Sequence, residues 1–382
     1  MTPVAPTTIC LDARTVGPHF PGIGRYTINL ARALPPLLGE HERLLLLRDP
    51  IAESVEDWTA GDPERRSVVD VSVSPFALRQ QWVIPQRLRA LGAGLYHSPY
   101  YLMPARPGVP SVVTIHDLIP LRHPHLFTPL QRGLFTVSVR LAVRAARVVI
   151  AVSAATARDL EQRLRVSPQR IAVIAEAADP IFRPQPADAV NALRARLALP
   201  ERYALYVGSN KPHKNLQRLV EVWARLRSYG VPLVIAGAWD ARYPEAKRRA
   251  AALGLGDAVR FIGPVDEANL AALYSGAMLF VFPSLDEGFG LPVIEAMACG
   301  VPVACSDASS LSELADQAAL TFAADDSDAM ADALDALLRD PDRRVEMRRR
   351  GLARAAQYSW RSTAAATLEV YRRALTGPNA SR

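Results

Sequence analysis

Phe282-Pro-Ser-Leu-Asp-Glu-Gly-Phe-Gly-Leu-Pro-Val-Ile-Glu-Ala-Met-Ala-Cys-Gly-Val-Pro-Val303 is the stretch from which the fold can be read. Its apolar lead-in, Met278–Phe282, predicts the end of a buried strand. A glycine-bearing loop follows, then a helix that opens near Leu291 or Pro292. Proline suits a first helical turn, where its missing N–H would have had no partner. Gly288 and Gly290 let the backbone come close to a ligand. The helix N-terminus adds N–H groups that receive an anion. Ala298-Cys-Gly-Val-Pro-Val303 then leads into the next strand. Strand, loop, helix and strand make one step of a parallel α/β sheet.

Two carboxylates flank that anion cradle. Glu287 sits at its lip, and Glu295 lies eight positions later inside the helix. Carboxylates repel an anion, so their use must be another: they accept hydrogen bonds from the hydroxyls of sugar or ribose rings. A phosphate with a polyol on either side describes a nucleotide sugar. A plainer reading makes Glu287 a charge that complements the helix dipole and Glu295 part of a solvated face. The flanking glycines, the proline and the trailing strand favour the ligand.

At 382 residues the chain is long for one domain, and two are expected. A hydrophobic content of 49% with 22% charged residues fits a globular protein. Cys10, Cys299 and Cys305 are too scattered for a disulfide framework or a zinc site, which points to a reducing compartment. No basic-then-apolar leader opens the sequence, and no apolar run reaches the roughly 20 residues of a membrane span. A cytoplasmic protein is expected. The net charge is +7; residues 1–182 carry a surplus of five positive charges and residues 183–382 a surplus of two. The basic half is either an arginine-rich solvated surface or a face for an anionic partner, such as the inner face of a membrane or a phosphate-bearing acceptor. No nucleic-acid motif is present. The only lysines are Lys211, Lys214 and Lys247, and two of them share one loop, where a compact ammonium is needed.

In chain order, a strand at Thr8–Asp12 leads to Phe20-Pro-Gly-Ile-Gly-Arg-Tyr26 and an amphipathic helix to Leu38. The third glycine of a dinucleotide fingerprint is replaced by Thr27. Gly22 and Gly24 form either a flexible lip that approaches a phosphate or a simple strand-to-helix turn. Strands are expected at Leu44–Leu47, Val68–Val73, Leu95–Ser98 and Ser111–Ile115, with 49–66 irregular and a helix at Trp82–Leu91. Ser111–Ile115 ends at His116-Asp117, where open α/β sheets bind ligands; His116 donates to a sugar or phosphate oxygen, or pairs with Asp117. A helix at Gln131–Val148 interleaves arginines with apolar residues, and Ser153 is an N-cap. The stretch from Glu176 to Pro186 reads as a linker.

After it the pattern restarts. The strand Tyr203–Val207 enters Gly208-Ser-Asn-Lys-Pro-His-Lys-Asn215, and a helix follows from Leu216. Lys211 and Lys214 at this junction suit a diphosphate, although a charged turn would also explain Lys211. Strands at Pro232–Ala236 and Val259–Ile262, the latter followed by Gly263-Pro-Val265, continue the sheet. The last helix, Trp360–Leu375, is expected to return to the first domain. The fold class is therefore α/β: two Rossmann-like domains, residues 1–182 and 183–358, facing across a cleft, with 359–382 packing back on the first.

The segments 286–303, 207–215, 261–277 and 21–34 together resemble the retaining glycosyltransferases of family four, which have the two-domain GT-B fold. The resemblance implies that Glu287 holds a hydroxyl of the donor sugar and that Glu295 accepts from the ribose. It implies that backbone N–H groups of Gly288, Phe289, Gly290 and Leu291 meet sugar hydroxyls and the distal phosphate. Lys214 would neutralise the diphosphate. Ser209 stands where the family often has arginine, with Lys211 as a substitute. His116 would contact the sugar near the reacting carbon, Gly22 and Gly24 would border phosphate and acceptor, and Val265 would offer its backbone to the base. No metal or other cofactor is implied. The expected activity is transfer of a hexose, mannose from GDP-mannose, to a saccharide or lipid-linked acceptor, with UDP-sugars also open as donors. Other readings are a nucleotide-sugar epimerase, which needs no acceptor, and a non-catalytic nucleotide-sugar-binding module.

Overall fold

The computed structural model describes residues 7–17, 21–50 and 65–376. Most of the irregular stretch expected at 49–66, and Phe20, lie outside the described residues. The chain divides into two compact units, Met1–Glu176 with Ser359–Arg382, and Ala177–Tyr358. The sequence suggests a boundary at 182/183; the division falls six residues earlier because Phe182 is buried against Tyr274 of the second unit, ring centroids 5.8 Å apart.

The first unit holds seven strands: β1 (Thr7–Asp12), β2 (Glu42–Arg48), β3 (Arg66–Asp70), β4 (Ala93–Ser98), β5 (Ser111–Ile115), β6 (Val148–Ala151) and β7 (Ile171–Val173). They form one parallel sheet in the order β3-β2-β1-β4-β5-β6-β7. Strands covered on both faces need unbroken apolar runs, and Leu44–Leu47 and Val148–Ala151 supply them, all buried. Val71 and Val73, read as strand residues, lie beyond β3 but are still buried.

The second unit holds β8 (Ala204–Val207), β9 (Leu233–Ala236), β10 (Val259–Gly263), β11 (Leu279–Phe282), β12 (Val303–Ser306) and β13 (Leu320–Phe322). They are parallel in the order β10-β9-β8-β11-β12-β13. Both sheets thus step outward from their first strand, then jump across it. The jump leaves a crevice at the carboxyl ends of β1 and β4, and of β8 and β11, where doubly wound sheets bind ligands.

Helix positions follow local chemistry. Leu216–Arg225 buries Leu216, Leu219, Val220 and Trp223, the three-four spacing of one helical face. Ser153 caps Ala154–Leu164 by accepting from Thr156 N, as its sequence position predicts. Thr128 and Gln131 form a reciprocal capping box at the start of Pro129–Ala145. The helix near the amino end begins at Pro21, so Gly22 and Gly24 lie in its first turn and not in a loop before it. Proline at that position fixes the helical φ early.

The last helix, Trp360–Thr376, packs on the helix Pro21–Ala33 and on β4 and β5 of the first unit. Tyr371 Oη lies 2.7 Å from His97 Nδ1, and Thr363 Oγ1 donates to the Ala175 carbonyl at 2.8 Å. Burial pushes the His97 imidazole down to about 3, so the ring is neutral where the helix docks. Among the described residues, no helix is long and apolar enough to cross a membrane.

Candidate functional site

Two loops in the second unit flank the crevice between β8 and β11. The first, after β8, is held by its asparagines. Asn210 is buried and bonds the Asp240 and Tyr243 carbonyls and the Asp240 N–H. Asn215, at φ 58°, donates to the Pro283 and Ala324 carbonyls at 3.1 and 2.8 Å. Between them Pro212–Lys214 makes one tight turn that delivers Lys214 towards the second loop.

The second loop, Pro283–Gly290, follows β11. Leu285 N donates to the His213 carbonyl at 2.7 Å, joining the two loops. Glu287 is fixed by its backbone: its N–H reaches Ser309 Oγ, and its carbonyl accepts from both Ser309 and Ser310. Its carboxylate Oε1 stands 2.6 Å from Lys214 Nζ. The side chains of this pair keep 15% and 11% of their surface exposed, so the pair is sheltered without being sealed. Lys214 Nζ also lies 5.2 Å from the centroid of the Phe282 ring. Two of the sequence candidates, Lys214 and Glu287, are therefore direct partners.

Gly290 opens the helix Leu291–Ala298 at φ +106°, and a Cβ there would come within 2.6 Å of Leu311 Cδ2. Leu311 would have to move for any side chain here, and at this φ an L residue is strained, so glycine is favoured at the turn into the helix. Phe289 is buried and meets Tyr358 edge-on, so it contributes backbone to the site and not its ring. Gly288 and Leu291 are half-buried beside it. Glu295, one turn in, is 1% exposed, and Tyr274 Oη donates to its Oε2 at 3.1 Å. This removes the solvated-face alternative for Glu295. A carboxylate buried at that depth requires hydrogen-bond donors.

At the open ends of β8, β9 and β10 the backbone forms a small pocket. A Cβ on Gly237 would sit 2.1 Å from the Gly208 carbonyl oxygen, so the two strand ends approach as closely as backbone allows. Trp239, Phe261 and Lys247 line it with Gly208 and Gly263. Lys247 Nζ stands 4.3 Å above the Trp239 ring. Lys211 is exposed at the start of the tight turn, Ser209 is half-buried with its carbonyl accepting from Tyr206 Oη, and Val265 is half-buried past β10.

His116, Gly22 and Gly24 belong to the first unit. His116 follows β5; Asp117 Oδ1 accepts from Ile119 N, and the hydrogen bonds of the His116 ring go elsewhere. His116 Nδ1 lies 2.8 Å from Glu176 Oε1 and Nε2 lies 3.0 Å from the Pro99 carbonyl. Each ring nitrogen faces an oxygen, an arrangement that favours a proton on both. Burial opposes that charge, but the Glu176 carboxylate, the Pro99 carbonyl and Asp117 outweigh it and raise the ring above its usual range. A Cβ on Gly22 would meet nothing, and one on Gly24 only ordinary contacts. Neither glycine is demanded by its surroundings among the described residues.

Sequence reasoning missed Tyr274, Asn210, Asn215, Ser309, Ser310 and Glu176. Glu176 stands where the sequence suggests the start of a linker. Each bonds to residues distant in the chain, and spacing carries no signal for such pairs. Among the described residues no group of three or more His, Cys, Asp or Glu is arranged to hold a metal ion.

Comparisons with known proteins bear on the family and the fold. Residues 21–181 match the model of Glycosyltransferase Family 4, and residues 191–354 match that of Glycosyl transferases group 1. The D-inositol 3-phosphate glycosyltransferase 2 of Catenulispora acidiphila is 32% identical over 97% of this chain and 96% of its own length. The O-antigen chain mannosyltransferase B of Escherichia coli is 29% identical over 92% of this chain and 96% of its own. Among solved structures, sucrose-phosphate synthase from Thermosynechococcus elongatus superposes with a TM-score of 0.77 at 24% identity, covering 96% of this chain and 98% of that one. Anabaena HepE, solved with UDP and glucose, gives 0.74 at 19% identity, covering 95% and 98%.

Proposed function

This chain belongs to the glycosyltransferases of family 4, and from that premise we propose that it transfers mannose from GDP-mannose, with retention, to a saccharide or lipid-linked acceptor in glycan assembly. The observation that carries the reading is the Lys214–Glu287 pair at the β8/β11 crevice, 2.6 Å apart. Each group occupies the place of the other's ligand. When a sugar diphosphate enters, the lysine turns to the phosphate and the carboxylate to a sugar hydroxyl. Neither charge is then buried alone before or after binding, which keeps desolvation modest.

The chemistry follows from where charge moves. Departure of the nucleoside diphosphate leaves negative charge on its distal phosphate and positive charge on the anomeric carbon. In this reading Lys214 and the start of the helix Leu291–Ala298 receive that negative charge. Glu295, buried with Tyr274, is suited to accept from a ribose hydroxyl on the other side of the diphosphate. The pocket of Trp239, Phe261 and Gly263 supplies aromatic and backbone surface suited to a base. Retention by double displacement would need a nucleophilic carboxylate at the anomeric carbon. In this reading Glu287 is instead engaged by a sugar hydroxyl once the donor is bound, which favours attack from the leaving-group side.

Mannose as the sugar is supported by the mannosyltransferase relative, which matches along nearly its whole length. We include independence from divalent metal in the proposal. The test is a turnover screen with GDP-mannose, UDP-glucose, ADP-glucose and dTDP-sugars, each with and without acceptor and with and without EDTA. The anomer formed is read by NMR. Turnover with UDP-glucose and none with GDP-mannose would sink the donor, an inverted anomer the stereochemistry, and loss of rate in EDTA the metal independence. Conversion of donor in the absence of acceptor would replace transfer by epimerisation.

A further inference from the structure

The helix Pro129–Ala145 has two apolar faces. Phe135, Val139, Ala142 and Val143 are buried against the sheet. Leu130, Leu134, Val137 and Leu141 recur at the spacing of a second stripe, and at 100° per residue that stripe lies on the opposite side. Its four residues are between 42% and 72% exposed. A surface helix of a water-soluble protein ordinarily turns polar residues outward, so a continuous outward stripe needs an occupant.

A second exposed apolar group lies in the same unit. Phe76, Leu78 and Trp82 are 57–81% exposed at the start of the helix Gln80–Ala90. The inner sides of both helices contribute to one core cluster, Ile84 and Leu88 from one and Phe135 and Val139 from the other. The two helices therefore cover the same face of the sheet, with β4 under one and β5 under the other.

Charge selects the occupant. Residues 71–158 contain ten arginines and a single carboxylate, Asp117. Arg140 and Arg144 are exposed along one edge of the leucine stripe, and the helix has no acidic residue. A second copy of this chain would set arginine against arginine across a two-fold axis, because such an interface joins a patch to itself. An anionic lipid surface satisfies both features: headgroups take the arginines and the acyl boundary takes the leucines. Trp82 is the amphipathic ring that sits at that depth.

We propose that this face of the first unit docks on an anionic bilayer, with Leu130, Leu134, Val137 and Leu141 at the headgroup boundary. The proposal does not depend on the identity of donor or acceptor. It places the enzyme at a membrane surface, where a lipid-linked acceptor would be presented.

The experiment uses the full chain and purified vesicles, of phosphatidylcholine alone or with phosphatidylglycerol, followed by flotation. Wild type should float with the anionic vesicles, and less so as salt rises. L134E/L141E should weaken binding at least about tenfold, and R140S/R144S by roughly fivefold per arginine. Circular dichroism and turnover on a soluble acceptor should match wild type for both variants, since all four positions are exposed. Equal binding to neutral and anionic vesicles, or unchanged binding by L134E/L141E, overturns the proposal. So does a dimer that L134E/L141E disperses while wild type leaves the vesicles alone.

Discussion

The two crevices of this molecule share a strand order and do opposite things with an ion pair. At the end of β1, Asp12 is gripped by Arg14 through Nε to Oδ1 at 2.8 Å and Nη2 to Oδ2 at 2.6 Å, and Tyr96 Oη donates to the same Oδ2 at 2.5 Å. Arg14 also donates to the Val73 carbonyl at 2.7 Å. All three side chains are buried. At the end of β8 and β11, Lys214 meets Glu287 through one ammonium and one carboxylate oxygen, with both side chains partly in contact with solvent. A planar guanidinium held at three points cannot leave without stranding Asp12. A lysine on four methylenes can swing to a phosphate. The difference teaches that topology provides a crevice, and the type of cation decides whether it is a lock or a latch.

The largest effect should come from breaking the lock. Asp12→Ala leaves a buried guanidinium unpaired and should cost about 3–5 kcal/mol of stability, read as a fall in the urea midpoint. Survivors should retain normal donor affinity. A variant as stable as wild type would refute the structural role of Arg14.

Breaking the latch should do the reverse. Lys214→Ala should lower kcat about 10²–10³-fold in the donor-turnover assay, with a melting temperature within a few degrees of wild type. If the melt collapses while the rate survives, the two crevices are not different in kind. Glu295→Ala sharpens the comparison further. It should weaken donor binding about 10–100-fold by calorimetry, the worth of a hydrogen bond to a charged group. Unchanged affinity would remove Glu295 from the donor site.

The smallest effect concerns pH. The folded pKa of His116 is raised, so its pairing with Glu176 stabilises the fold fully below the unfolded value near 6.5 and less as pH rises through the folded value. Glu176→Gln should bring the alkaline limb of the kcat/KM profile to lower pH, and Glu176→Asp should partly restore it. His97 works in the other direction. With its pKa at about 3, its stabilisation is present above the unfolded value and is lost as pH falls from about 6.5 towards 3. Tyr371→Phe should leave that acid limb in place while lowering the melt slightly.

The readable part of the fold was the part written in local pattern. Strands such as Val148–Ala151 and Leu279–Phe282 are apolar runs because both faces are covered. Glu287, Glu295 and Lys214 were legible because glycine, proline and helix start leave a local signature around them. The partners were not. Tyr274 lies 21 residues from Glu295, and Glu176 lies 60 from His116, and only the folded chain brings each pair together. The start of the helix at Pro21 was missed for a narrower reason: glycines at 22 and 24 argue for a loop, while the proline before them, already at helical φ, argues for a first turn.

The crossings between units at Glu176 and Ser359 mean that the first sheet is emitted long before the helix that covers β4 and β5. During translation Tyr26, His97 and Thr114 must wait, uncovered, while the whole second unit leaves the ribosome. The final helix is thus a seal applied last. A chain broken off before residue 360 would carry a finished second unit and a first unit with apolar surface at β4 and β5 left open, marked for quality control by its own missing helix.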